Sequence, residues 1–181
     1  MLAAAQQQAG WALTRLYEAL APAVAGYLRA QGVREVEDVT NEVFIAVLTG
    51  ARTFSGDEAQ FRSWVFTIAH RRVVDARRAR ERSPGVDSLD AGPIDGPQTW
   101  RSSVSAEDIA LQRLGTERVE RLLGALTPEQ RDVLALRILG DLSVEDVAAA
   151  VGKPPGAVKA LQRRALAALR RRLSRGIGGA S

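Results

Sequence analysis

The sequence contains no cysteine and one histidine, His70. The first absence excludes a disulfide, a thiolate zinc site and a thiol redox switch within the chain. The second leaves a metal cluster or a catalytic dyad without material, so His70 is expected to be a plain surface or DNA-facing residue. No nucleotide-binding Gly loop and no nucleophile–base pair stands out, and neither a cofactor nor an enzymatic activity is expected. Aromatic residues make up only 5% of the chain, which Ala, Leu and Arg dominate. These are strong helix formers, and an all-α protein is the expectation. There is no run of roughly eighteen apolar residues, hence no expected membrane span. The stretch MLAAAQQQAGWALTRLYEAL lacks the basic n-region and continuous apolar h-region of a secretory leader. A cytoplasmic protein is the simplest expectation.

What is present is a globular composition, 46% hydrophobic, with a net charge of +4 that is unevenly spread. Between Gln31 and Gln60 six acids (Glu35, Glu37, Asp38, Glu42, Asp57 and Glu58) face two basic residues. Between Arg71 and Arg82 there are six Arg against Asp75 and Glu81, and between Lys153 and Arg175 eight basic residues and no acid. Two basic stretches and one acidic surface suggest two polyanion contacts and a separate protein contact, although solvated helix faces would carry the same charges. Nearly all the cations are Arg, whose planar fork suits phosphates and guanine edges.

The segment SPGVDSLDAGPIDGPQTWRSSVS, Ser83–Ser105, is rich in Gly, Pro, Ser and Asp and has no helical period. It reads as a flexible linker between two small helical domains, 1–82 and 106–175, with a tail at 176–181. Helices are expected at about Gly10–Leu20, from Pro22 to Ala30 with the proline in its first turn, at Glu35–Leu48, and at Ala59–Arg80. The last places Phe61, Trp64, Val65, Ile68, Ala69 and Val73 at helical spacing. After the linker, helices are expected near Ala106–Gly124 and Pro128–Leu139. LTPEQ is a capping box on Thr127 with Pro128 at N1, and SVED is a second box on Ser143.

That second box opens a helix-turn-helix pattern. Val147, Ala148 and Val151 give a short helix its apolar face, and Gly152 stands where a left-handed C-cap is needed. Pro155 starts a longer helix with an apolar stripe of Val158, Leu161, Ala165, Leu169 and Leu173. Its other side projects Gly156, Ala157, Lys159, Ala160, Arg163 and Arg164, a surface that could enter a major groove while Lys153, Arg170, Arg171 and Arg172 meet phosphates. On pattern alone a stand-alone helix-turn-helix regulator would present the same helices.

The N-terminal half separates the alternatives. VEDVTNEVFIAVLTGARTFSGDEAQFRSWVFTIAHRRVVDARRARER resembles region 2 of the extracytoplasmic-function (group 4) sigma factors of the sigma-70 superfamily, and LTPEQRDVLALRILGDLSVEDVAAAVGKPPGAVKALQRRALAALRRRL resembles their region 4. The two lie in the family's order, a linker apart, and the resemblance spans about Leu16–Leu173. It implies a sigma factor that binds core RNA polymerase and directs promoter recognition, DNA melting and initiation.

By resemblance, Asp38, Asn41, Glu42, Val43 and Phe44 occupy the positions that dock on the β′ clamp coiled coil, with Asn41 where the family usually has Gln. The loop TFSGDEAQFRSW, with Phe54, Ser55, Gly56, Asp57 and Trp64, looks like the one that captures a flipped −10 base. Trp64, Phe61 and Phe66 also fit a core pattern, which leaves Phe54 and the loop backbone as the better candidates for base contact. Arg71, standing where Asn is common, joins Arg72, Arg77, Arg78 and Arg80 along the −10 strand. In region 4, Lys153, Ala157, Lys159, Gln162, Arg163 and Arg164 would meet the −35 element, Pro154 and Ala157 replacing the usual Ser and Thr. The implied partners are core polymerase (β′ clamp coiled coil and β flap), promoter DNA and, as for many family members, an anti-sigma factor. The linker, with Asp87, Asp90 and Asp95, would thread along the polymerase's nucleic-acid channels.

Overall fold

The structure is a computed structural model that describes residues 2–7, 9–82 and 122–177. The expected linker, with Trp100, and the helix expected near 106–124 lie outside the described residues, except that 122–124 are helical. Every regular element among the described residues is a helix. In chain order they are α1 (Leu2–Gln6), α2 (Gly10–Ala30), α3 (Val36–Gly50), α4 (Glu58–Arg82), α5 (Pro128–Ile138), α6 (Val144–Val151) and α7 (Pro155–Ile177).

In the first half, α2 runs unbroken where two helices were expected, with Pro22 inside it. Pro cannot donate to the carbonyl four residues back. Here Pro22 and Glu18 are both exposed, so water can satisfy the Glu18 carbonyl. The apolar period Ala12, Leu16, Leu20, Val24 and Leu28 continues straight through, burying all five residues. That continuous burial outweighs the local penalty. The helix stops at Gly32, whose φ of +74° suits glycine. Gly32 N donates to Arg29 O and Val33 N to Leu28 O, a Schellman closure. An unforeseen capping box opens α4. In it, Gln60 N donates to Asp57 Oδ1 at 2.8 Å, and Asp57 N donates to Gln60 Oε1 at 2.9 Å. The buried face of this helix is Phe61, Val65, Phe66, Ala69, His70 and Val73.

In the second half both expected boxes are formed. Thr127 accepts from Gln130 N, Ser143 accepts from Asp146 N, and Gly152 takes the left-handed conformation at φ +66°. Val147 and Ala148 on α6 meet Val158 and Leu161 on α7 in the interior, and Ala165 is fully enclosed beside Leu126 and Leu134.

The two halves are not independent bodies. Helix α4 packs against α6, and α2 against α5. Phe66, Val73 and Tyr27 of the first half belong to one apolar cluster with Leu136, Leu142 and Val147 of the second. Gly140 sits at this seam: a Cβ there would lie 2.5 Å from the Leu136 carbonyl and 3.3 Å from the Phe66 ring, so only glycine fits without a shift.

Candidate nucleic-acid interface

On α3, Asp38, Asn41, Glu42 and Ile45 fall at i, i+3, i+4 and i+7, and all four are exposed. Ile45 was not singled out from sequence, yet it is 65% exposed, a large aliphatic side chain amid acids. Its spacing from Asp38 and Glu42 was the available signal. Val43 and Phe44, expected on the same surface, point the other way. Val43 is fully buried, and the Phe44 ring packs edge-on to Tyr17 at 4.7 Å. Glu42 Oε2 lies 3.7 Å from Arg72 Nε with both side chains about half exposed. Such an exposed pair contributes little in water.

Between α3 and α4 the chain forms a tight loop around an aromatic cluster. Phe54 packs edge-on to Phe61 and lies tilted over Trp64, with centroids 5.2 Å apart in each case, and Phe61 meets Trp64 at 5.5 Å. Phe61 and Phe66 are buried, and Trp64 and Phe54 are half-buried. The Phe54 ring is thus largely committed to its neighbours. The Trp64 ring lies over Gly50, where a Cβ would come within 2.7 Å of it. Gly56 is needed for a close approach, since a Cβ there would lie 2.6 Å from Gln60 Oε1, which accepts from Asp57 N in the α4 capping box. Ser55, Gly56 and Asp57 form the exposed rim. From the far end of the chain, Gln6 Nε2 donates to the Phe54 carbonyl at 2.9 Å.

Along α4, Arg71, Arg72, Arg78 and Arg80 line the surface, but Arg77 turns inward. Its Nη1 and Nη2 each donate to a carboxylate oxygen of Asp132 at 2.9 Å, and Nη2 also donates to Gln31 Oε1 at 2.6 Å. The Arg77 and Asp132 side chains are 24% and 11% exposed. That burial and the bidentate geometry make this the strongest ionic contact among the described residues. In this form Arg77 is occupied by the protein itself. Arg62 Nε adds a second strap to the seam, donating to the Gly140 carbonyl at 2.6 Å.

Behind this clasp, His70 is 6% exposed rather than on the surface, with Nδ1 2.8 Å from the Tyr27 hydroxyl. Burial holds the Tyr27 pKa well above its ordinary value, reinforced by the charge of Asp132. Burial also lowers the His70 pKa, with Asp132 opposing and Arg77 assisting. Both effects favour the neutral forms. The two therefore share a hydrogen bond between neutral groups, whose direction goes with the His70 tautomer.

In the second half, Lys159, Arg163 and Arg164 are exposed on one side of α7, with Ala157 and Gln162 half-buried among them. The two capping boxes and the Gly152 corner fix how α7 is presented. A shallow groove of about 390 Å³ runs along Lys159, Gln162, Arg163, Leu166 and Arg170. Leu166, not anticipated from sequence, is its exposed apolar element. Lys153 Nζ lies 2.7 Å from Glu129 Oε1, and this hydrogen bond and charge hold the Glu129 pKa below its ordinary value. Among the described residues, no His, Asp and Glu cluster has metal-ligating geometry, and no helix is long and apolar enough to cross a membrane.

Two stretches of the chain match known protein families in order. Sigma-70 region 2 is matched over residues 16–83 and Sigma-70 region 4 over residues 116–169. The ECF RNA polymerase sigma factor SigD of Mycobacterium tuberculosis (strain ATCC 25618 / H37Rv) is 34% identical over 167 residues, covering 88% of this chain and 76% of SigD. The ECF sigma factor RpoE of Cereibacter sphaeroides is 30% identical over 165 residues, covering 90% of this chain and 87% of RpoE. Among solved structures, CnrH in complex with the cytosolic domain of CnrY superposes with a TM-score of 0.67 at 25% identity, covering 96% of this chain and 94% of that one. The sigma factor RpoE of Bartonella quintana, solved with the anti-sigma factor NepR, shares the fold with a TM-score of 0.65 at 22% identity, covering 89% of this chain and 96% of that one. The chain belongs to the ECF RNA polymerase sigma factors of the sigma-70 family, which direct the polymerase to promoters and start transcription.

Proposed function

We propose that this sigma factor divides its work among three surfaces. The α3 face of Asp38, Asn41, Glu42 and Ile45 docks on the polymerase clamp, its carboxylates excluding DNA and its isoleucine supplying apolar area. The loop rim of Ser55, Gly56 and Asp57, backed by Phe54 and Trp64, receives an unstacked base of the −10 element, with Arg71, Arg72 and Arg78 on the neighbouring phosphates. Opening a duplex costs a few kcal/mol per extruded base, and a rigid aromatic-backed loop needs little reorganisation to offset it. Lys159, Gln162, Arg163 and Arg164 read the −35 major groove, with Lys153 and Ala157 at the edge of that contact. Val43 and Phe44 serve the site by holding α3 in place. Arg77 reaches a phosphate only after leaving Asp132.

The chain contributes no catalytic group; the chemistry belongs to the polymerase, beside which it works in the cytoplasm. Because CnrH and the Bartonella RpoE were solved bound to CnrY and NepR, an anti-sigma partner covering these surfaces is part of the proposal. The observation that carries the reading is the separation, on one helical unit, of an acid-and-isoleucine face from an aromatic-backed loop followed by exposed Arg. Run-off transcription with purified core polymerase tests it, comparing wild type with Glu42→Lys and Arg163→Ala. Glu42→Lys should lose transcription on every template with loss of core binding. Arg163→Ala should keep core binding and lose transcription only where a −35 element is needed. Equal core binding by Glu42→Lys and wild type would remove α3 from the docking surface.

A further inference from the structure

The Sigma-70 region 2 match begins at residue 16, yet the chain has a helix before it that touches the −10 loop. Helix α1 lies along α2, with Ala5 fully buried and Ala9 N donating to Ala4 O at 3.0 Å. From its last residue, the half-buried Gln6 sends Nε2 to the Phe54 carbonyl, 48 residues away in sequence. This is the only side chain outside the loop and α4 that is hydrogen-bonded to residues 53–57 among the described residues.

The carbonyl that Gln6 holds has a partner in its own peptide unit. The 54–55 peptide is trans, since the chain has no cis bonds among its described residues. In a planar trans peptide the C=O and the following N–H point in opposite directions. Fixing the Phe54 carbonyl toward α1 therefore fixes the Ser55 N–H away from it, on the exposed rim. That N–H donates to no atom of the described residues, whereas Phe54 N is taken by Ala51 O and Asp57 N by Gln60 Oε1. The loop thus presents the Ser55 and Gly56 backbone donors uncommitted to any atom of the described residues, and Gln6 sets the direction of the first.

We propose that Gln6 is a positioning residue for promoter reading: it anchors the Phe54 carbonyl so that the Ser55 N–H is aimed at an acceptor on the unstacked −10 base. This rests on the reading of the loop as the base-capturing element. Helix α1 is then a brace, and it makes −10 preference depend on residues upstream of the family-defined region.

The experiment uses the full chain with core polymerase and a pool of templates randomised across the −10 and −35 elements, with transcribed templates sequenced. Gln6→Glu is isosteric but presents no N–H to the carbonyl at neutral pH, and Gln6→Ala removes the side chain. Ser55→Pro deletes the presented donor itself. Both Gln6 variants should weaken the preference at one −10 position by about three- to tenfold, the worth of a single aligned hydrogen bond, and leave −35 preferences unchanged. Ser55→Pro should weaken the same position. If Ser55→Pro flattens that position while both Gln6 variants leave it intact, the brace is overturned and the base-capturing loop stands. If no variant moves any −10 preference, the reading of the loop falls, and the brace with it. A uniform fall in transcription from the Gln6 variants, with all preferences preserved, would reduce α1 to a stabilising helix and also overturn the proposal.

Discussion

The two halves of this sigma factor reach stable helices by different means. The first is built on rings: Tyr27, Phe44, Phe61 and Phe66 are buried and Phe54 and Trp64 pack behind the loop. The second has no aromatic residue among its described positions and is built on Leu, Val and Ala, with a capping box at the start of α5 and another at the start of α6. Under the proposed function, the difference follows from what each surface would have to meet. Receiving an unstacked base calls for a rigid cluster of π-faces close to the surface. Reading a closed duplex calls for one helix presented at a fixed angle, which local caps and a glycine corner supply. The half with the poorer core borrows from the other, since Leu136, Leu142 and Val147 are buried in a cluster shared with α2 and α4.

Four experiments test that contrast. Phe66→Ala should have the largest effect, about 3–5 kcal/mol off the unfolding free energy. Because Phe66 is fully buried and approaches Gly140 across the seam, circular dichroism should show both halves losing stability in one denaturant transition. Two separate transitions in wild type would show that the halves do not share a core. Asp132→Ala should cost about 1–3 kcal/mol, since it strips the Arg77 guanidinium of a doubly bonded partner. Donor and acceptor dyes on exposed sites in α3 and α7 should report a longer separation. An unchanged distance would assign the docking to the apolar seam alone. Thr127→Ala and Ser143→Ala should each remove about 1 kcal/mol, read as faster amide exchange, most of all at the first turns of α5 and α6, where the caps act. The smallest effect is expected at His70. An unfolded histidine titrates near about 6.5. Burial keeps the folded imidazole neutral to lower pH. The unfolded state then binds more protons, so stability falls as pH drops through that value. His70→Gln should flatten this acid limb in melts recorded from about pH 7 downwards.

What is legible in the sequence is local. Thr127 with Gln130, Ser143 with Asp146, and Gly152 before Pro155 declare helix ends within four residues, and each forms as expected. Pro22 misleads because its local penalty competes with an apolar period that only tertiary packing rewards. The Asp57 and Gln60 box is as readable as the other two, but it lies inside a loop whose motif points to base capture instead. Val43 and Phe44 share a linear motif with the acidic face, and a linear motif does not say which side of a helix is buried. Counting i, i+3, i+4 and i+7 from Asp38 picks out Ile45. The contacts of Arg77 with Asp132 and of Gln6 with Phe54 span 55 and 48 residues. Nothing in a run of arginines says which one is spoken for.

Arg77 has one guanidinium and, in the proposed holoenzyme, two anionic claimants. Asp132 is tethered to it through the fold, so in the closed chain the carboxylate competes at the high effective concentration of an intramolecular ligand. A promoter phosphate competes from solution, and its hold weakens steeply with ionic strength because counterions return to the DNA. The largely buried carboxylate is screened far less. For the proposed phosphate contact, rising salt therefore both loosens DNA and favours the internal rival, and this sigma factor's promoter affinity should fall with salt more steeply than its exposed arginines alone would dictate.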